Sequence, residues 1–220
     1  MSDGPRAPEA APRGRLVAFE GIDGCGKSTQ AARAAAWLGA ELTFEPGATR
    51  LGQALRPLAL GAPGMVLDPT AEALLMLADR AQHVAEVVGP ALAGGRWVVT
   101  DRYGASTLAY QGYGRAIDLD LLVRLQAWVT GGVEPDLNVL IDVPVDDALA
   151  RRGGRATDGI ESLDGGFHGR VADGFRAQAA ADPAHWLVVD GRPDPDTVAA
   201  SVRAGIASRV GTPSGTGGGA

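Results

Sequence analysis

The stretch Leu16-Val17-Ala18-Phe19-Glu20-Gly21-Ile22-Asp23-Gly24-Cys25-Gly26-Lys27-Ser28-Thr29 decides how this chain folds. Its first five residues are an apolar run closed by one glutamate, the composition of a strand buried on both faces. Gly21 to Ser28 then satisfies G-x-x-x-x-G-K-[S/T], and an Ala-rich, helical segment follows over residues 28–38. Strand, glycine turn and helix in that order make a cradle for phosphate. Gly21, Gly24 and Gly26 let successive N–H groups turn inward without Cβ interference, while the helix aims its positive end at the same spot. Ile22, Asp23, Cys25 and Thr29 complete the expected contacts to a nucleoside triphosphate. Lys27 is expected to reach its β- and γ-phosphates, and Ser28 to offer a hydroxyl to Mg²⁺.

Outward from this loop, short apolar runs alternate with longer helical stretches. Strands are expected at Leu16–Glu20, Glu41–Phe44 and residues 97–100, 137–143 and 186–189. Asp68 and Pro69 open a long helix over residues 69–93, Asp68 as N-cap and Pro69 where a missing N–H is no loss. Further helices are expected at Leu119–Thr130 and residues 166–180 and 196–210. Continuous apolar strands separated by helices predict an α/β fold: one domain over residues 15–210, a five-stranded parallel sheet with helices on both faces. The Gly- and Pro-rich residues 1–14 and 211–220 are expected to be unstructured tails.

Composition narrows the function classes. Of 220 residues, 45% are hydrophobic and 21% charged, and the formal net charge is −6. Without a basic face, a nucleic-acid partner held by phosphate neutralisation is not expected. Cys25 is the one cysteine, so neither an intrachain disulfide nor a cysteine metal site is available. His83, His168 and His185 show no ligand spacing. No run approaches the roughly 18 apolar residues of a membrane helix, and residues 1–15 hold no apolar leader core. A cytoplasmic protein with no membrane partner is expected.

A second group of residues points to a phosphorylated acceptor. Asp101-Arg102-Tyr103 ends the third strand at the sheet edge where ligands of open α/β folds collect. Asp101 suits Mg²⁺ support, and Arg102 offers a guanidinium fork. Arg80 shares a helix face with Met76 and His83 and is a candidate for a further clamp. Ser106, Thr107, Tyr110 and Gln111 supply hydroxyls, an amide and an aromatic edge suited to reading a base and a sugar.

Taken in order, Phe19-Glu20-Gly21-Ile22-Asp23-Gly24, Lys27-Ser28-Thr29-Gln30, Glu45-Pro46-Gly47, Ala78-Asp79-Arg80-Ala81-Gln82, Asp101-Arg102-Tyr103 and Ala109-Tyr110-Gln111-Gly112 resemble the thymidylate kinase family. The resemblance spans residues 15–209. It implies transfer of the ATP γ-phosphoryl group to dTMP by a Mg²⁺-dependent homodimer. It also implies a dTMP seat made by Asp23, Glu45, Met76, Arg80, Arg102, Ser106, Thr107, Tyr110 and Gln111. Within that seat, Arg80 and Arg102 would hold the phosphate and Asp23 the sugar 3′-hydroxyl. Ser106 and Thr107 would read the thymine edge, and Tyr110 would crowd the 2′ position. Asp101 would orient Mg²⁺ through water.

Arg151, Arg152 and Arg155 lie on a Gly-containing segment resembling the family's mobile lid, over residues 151–162. Lys27, Asp23, Arg102, Arg151 and Arg155 are therefore the expected catalytic set. Three positions depart from the family pattern. Phe44 replaces an arginine before Glu45-Pro46, Met76 stands where a phenylalanine stacks on thymine, and Gly159 falls where the lid often has arginine. The first two leave open a kinase for another nucleoside monophosphate or deoxynucleoside. A nucleotide-binding switch is the reading from outside the enzyme class.

Overall fold

The computed structural model describes residues 13–61, 65–152 and 165–213. Five parallel strands form one sheet in the order β2-β3-β1-β4-β5. They are β1 (Leu16–Glu20), β2 (Glu41–Phe44), β3 (Val98–Asp101), β4 (Leu137–Asp142) and β5 (Trp186–Asp190). Alternate residues of β1 enter opposite faces, as the two-residue strand period requires. Val17 and Phe19 pack with α1 (Lys27–Leu38) and α9 (Pro195–Val210), while Leu16 and Ala18 pack with Val84, Val88 and Leu92. β1 is buried throughout, so its run of apolar side chains has no alternation to show.

The register places the chemistry. Phe19 lies level with Asp101 of β3 and Val139 of β4. Glu20, Asp101 and the residues following each strand therefore meet at one carboxyl edge, where open α/β sheets take their ligands.

The expected helix over residues 69–93 forms with a change of pitch inside it. α3 (Pro69–His83) and α4 (Gly89–Ala93) are joined by a π-helical turn, Val84–Val88. Pro90 has no N–H, and the N–H of Gly89 donates to Val84 O, five residues back. Asp68 caps α3 by accepting from Thr70 N at 2.8 Å. A helix the sequence reading did not assign, α2 (Arg50–Ala59), lies between β2 and α3, with Pro57 inside it. Thr49 caps it, accepting from Gly52 N at 2.9 Å. A Cβ on Gly52 would fall 2.3 Å from Asp79 Oδ1, so glycine is what lets α2 approach α3.

The remaining helices are α5 (Gly104–Thr107), continued by the π-helical Leu108–Gly114, then α6 (Leu119–Thr130), α7 (Val145–Arg152) and α8 (Gly165–Ala181). The expected lid beyond residue 152, with Arg155 and Gly159, lies outside the described residues, as do residues 1–12 and 214–220 of the expected tails. The described part of the N-terminal tail is tied to the fold: Gly14 N donates to Leu92 O at 2.9 Å.

Candidate active site

The loop after β1 has the shape its glycines imply. Gly21, Gly24 and Gly26 have φ of 138°, 89° and 96°. A Cβ at Gly21 would sit 2.8 Å from Ile141 O. No side chain caps the start of α1 and its first turn carries no acidic residue, so free N–H groups and the positive helix end are open to an anion. Lys27 is buried and folds back over the loop, its Nζ 3.2 Å from Asp23 Oδ1 and 3.5 Å from Ile22 O. Ser28 and Thr29 are exposed at the head of α1. Cys25 is buried, and burial pushes its thiol up against the pull of Lys27. The position thus contributes small size and backbone to the loop.

Arg102 joins this loop to a second cavity. Its backbone takes a left-handed φ of 75°, an arrangement a bulky residue keeps only when neighbours hold it. Arg102 N donates to Phe19 O at 2.9 Å, and Thr100 Oγ1 donates to Arg102 O at 2.8 Å. The guanidinium donates to Gly21 O at 3.2 Å, Ser106 Oγ at 2.9 Å, Tyr110 Oη at 3.2 Å and Asp23 Oδ1. Tyr110 Oη in turn donates to Asp23 Oδ2 at 2.7 Å. Burial alone would raise the Asp23 carboxyl, but Arg102, Lys27 and the tyrosine hydroxyl overrule it and hold it well below the usual carboxylate range.

The cavity beside Arg102 is lined by Asp23, Glu45, Met76, Arg80, Ser106, Thr107, Tyr110 and Gln111. Every residue that the resemblance assigned to the acceptor seat therefore borders one space. α3 contributes Met76 and Arg80, and Gly104–Gly114 the hydroxyls and the amide. Arg80, expected to help hold the acceptor phosphate, is also engaged by the protein. Its Nε donates to Glu45 Oε2, its Nη1 to Thr107 Oγ1 and Gln126 Oε1, and its Nη2 to Tyr103 O, at 2.8–3.2 Å, with Nη2 also ion-paired to Glu45. Four of its N–H groups are thus taken by the protein, although Arg80 still lines the cavity. Glu45 is held in its turn by His83 Nδ1 at 2.8 Å, so His83 belongs to the layer behind the seat.

Four residues at or behind the site escaped sequence reading. Arg56 and Asp79 line the cavity. Arg56 was hidden because it lies on the unassigned α2, while Asp79 sat in plain view beside Arg80. Glu72, on α3, accepts from Gln111 behind the cavity wall. The fourth is Glu20, whose signal was a charged residue closing a wholly buried strand. It accepts from Tyr103 N at 2.9 Å and Ser106 Oγ at 2.6 Å, beneath Arg102.

Burial pushes the Glu20 carboxyl up to about 7, despite opposing pulls from Ser106 and Arg102. In an unfolded chain a glutamate titrates near 4.3. Between these values the folded state holds a proton the unfolded state lacks, so the contribution to stability falls as pH rises through that window. Glu20→Gln keeps the shape of the protonated form and removes the titration. Its stability relative to the parent chain, from urea unfolding, is expected to improve by roughly 2–3 kcal/mol between pH 5 and pH 8. A pH-independent difference would contradict the assignment.

A more voluminous groove runs along the starts of β4 and β5. Within it Arg15 pairs with Asp136 at 2.8 Å and His185 with Asp182 at 2.9 Å, and it is not bordered by the glycine loop.

Two anion seats that share Asp23 and Arg102 at the carboxyl edge of a parallel sheet are the layout of a phosphate-loop kinase, with separate places for donor and acceptor. The family model described as thymidylate kinase matches residues 19–202. The thymidylate kinase of Prochlorococcus marinus (strain MIT 9303) is 50% identical, aligned over 76% of this chain and 82% of that one. That of Solidesulfovibrio magneticus is 49% identical, over 85% and 96%. The crystal structure of thymidylate kinase from Ehrlichia chaffeensis superposes with a TM-score of 0.73 at 33% identity, covering 89% of this chain and all of that one. The chain belongs to the thymidylate kinase family and is an ATP-dependent kinase.

Proposed function

We propose that the protein transfers the γ-phosphoryl group of ATP to dTMP, giving dTDP and ADP, and that Gly21 to Thr29 seat the ATP. The observation that carries this is the Arg102 guanidinium, bonded to Gly21 and Asp23 of the glycine loop and to Ser106 and Tyr110 of the cavity wall. It stands where the donor's γ-phosphate and the acceptor's phosphate must meet. The acceptor is itself an anion, so no strong general base is required. Alignment and neutralisation of charge by Lys27, Arg102 and the lid arginines Arg151, Arg152 and Arg155 carry the rate.

In the acceptor seat Met76 covers the ring, and Thr107 and Gln111 face the base. Ser106, held by Glu20, serves through Arg102. Tyr110, tied to Asp23, stands against a ribose 2′-hydroxyl. Because Arg80 is largely engaged by Glu45, Tyr103, Thr107 and Gln126, Arg56 on α2 takes a further phosphate contact beside Arg102, with Glu45 and Arg80 forming the floor. Arg151 donates to Gly191 O at 2.8 Å beside the end of β5.

The residues present suit Mg²⁺. Asp101 Oδ1 is buried and has no hydrogen-bond partner among the described residues, and Ser28 is exposed at the head of α1. Ser28 and Asp101 would hold the ion, which would supply charge neutralisation at the phosphates.

No described helix is long and apolar enough to cross a membrane, and the one cysteine is a free thiol, which supports a cytoplasmic setting. Leu74 of α3 and Leu121 and Trp128 of α6 are exposed, which supports a homodimer through these helices. Light scattering behind size exclusion tests that state.

ADP release measured with dTMP, dUMP, dCMP, dGMP and thymidine is expected to be fastest with dTMP. A different best acceptor would reassign the substrate. ATP binding without turnover of any acceptor would make the protein a switch.

A further inference from the structure

We propose that Glu72, which does not itself line the acceptor cavity, selects the base by fixing the side-chain amide of Gln111 so that only its carbonyl oxygen faces the nucleotide. The inference rests on the dTMP reading of that cavity and adds to it a residue that touches no substrate.

Glu72 is buried on α3. Gln111 Nε2 donates to its Oε1 at 2.9 Å, Arg115 Nη2 donates to its Oε2 at 2.7 Å, and Arg115 Nε approaches its Oε1 at 3.3 Å. The π-helical turns of Leu108–Gly114, with Arg115 N donating to Tyr110 O five residues back, bring Gln111 and Arg115 onto this one carboxylate. An ionised carboxylate only accepts, whereas an amide both donates and accepts. The reversed amide would set two acceptors against each other at 2.9 Å, so Glu72 leaves Gln111 a single orientation. Gln111 Oε1 has no donor among the described residues, and Gln111 lines the cavity.

The consequence is chemical selection. Thymine and uracil carry an N3–H that donates to such an oxygen. Cytosine presents a bare lone pair at N3, and two buried acceptors would then face each other. A site built to pair one polar group rejects an analogue lacking the complement far more strongly than an apolar pocket rejects a change of shape. With Met76 in place of an aromatic ring over the base, this polar contact becomes the main source of pyrimidine choice.

Glu72→Gln tests the proposal, because it reverses the polarity of the relay without changing its size. Arg115 Nη2 retains an oxygen at its close contact, so the new amide nitrogen faces Gln111. That nitrogen donates to Gln111 Oε1, which turns Gln111 Nε2 into the cavity. The ratio of kcat/KM for dTMP to that for 5-methyl-dCMP is expected to fall roughly 10- to 100-fold. The change should lie in KM, with kcat at saturating nucleotide little altered, since the phosphate contacts are untouched. Adding Gln111→Glu to E72Q returns an acceptor to the cavity, and the dTMP preference is expected to recover.

Equal losses on both nucleotides, or no recovery in the double variant, would overturn the proposal. A parent enzyme that turns over neither nucleotide would instead remove the functional reading and this inference with it. Should E72Q fail to fold, the parent protein answers by side-chain amide NMR. Gln111 Nε2 protons protected from exchange before dTMP is added support the relay; protons that become protected only on dTMP binding refute it.

Discussion

Arg102→Gly is expected to lower kcat/KM for dTMP by about 10³-fold while leaving the protein folded. The guanidinium bonds Gly21 and Asp23 on the donor side and Ser106 and Tyr110 on the acceptor side. Removing it leaves two phosphate anions converging with one cation fewer between them. Asp23 keeps Lys27 and Tyr110 as partners, so no buried carboxylate is stranded. Glycine also adopts the φ of 75° at this position without the Cβ strain arginine bears, a relief of about 1 kcal/mol that offsets part of the lost bonding. A shift of only a few degrees in Tm should accompany the loss of activity. Activity within tenfold of the parent would remove Arg102 from the acceptor seat. A large fall in Tm would mean that it is chiefly structural.

Lys27→Met is expected to lower kcat by roughly 10²- to 10³-fold with the KM for dTMP little changed. Nζ lies over the glycine loop, 3.5 Å from Ile22 O, and does not border the acceptor cavity. Its charge therefore acts on the donor's phosphates as negative charge redistributes during transfer. The backbone nest remains, so ATP still binds, more weakly. Steady-state kinetics with each substrate varied in turn separate the two parameters. A rise in the KM for dTMP matching the fall in kcat would show that the lysine organises the acceptor seat as well, through Asp23.

Both predictions concern residues visible in the sequence, because their chemistry is local. Gly21 to Ser28 is one continuous segment, and its backbone geometry follows from where glycine permits positive φ. Arg102 stands out by following an apolar strand that ends in Asp101. Other parts were illegible for reasons that can be named. α2 carries Gly52 and Pro57, which break the periodic pattern, and it exists because Thr49 caps it and Gly52 lets it lie against Asp79. With α2 unseen, Arg56 had no place in the site. The helix face of Arg80 points to a phosphate clamp, but the acceptors for four of its N–H groups come from residues 45, 103, 107 and 126, distant in sequence.

The chain's order of residues by itself determined the parallel α/β sheet, the anion nest and the edge at which ligands gather, since each follows from neighbouring side chains and strand period. Only the tertiary structure decided which charged groups remain free for a ligand. In sequence, Glu72 looks like any surface charge, and nothing there shows which partners Glu20 and Arg80 meet. Burial without water leaves each dependent on partners brought from elsewhere in the fold, and those partners determine what the group can still donate or accept.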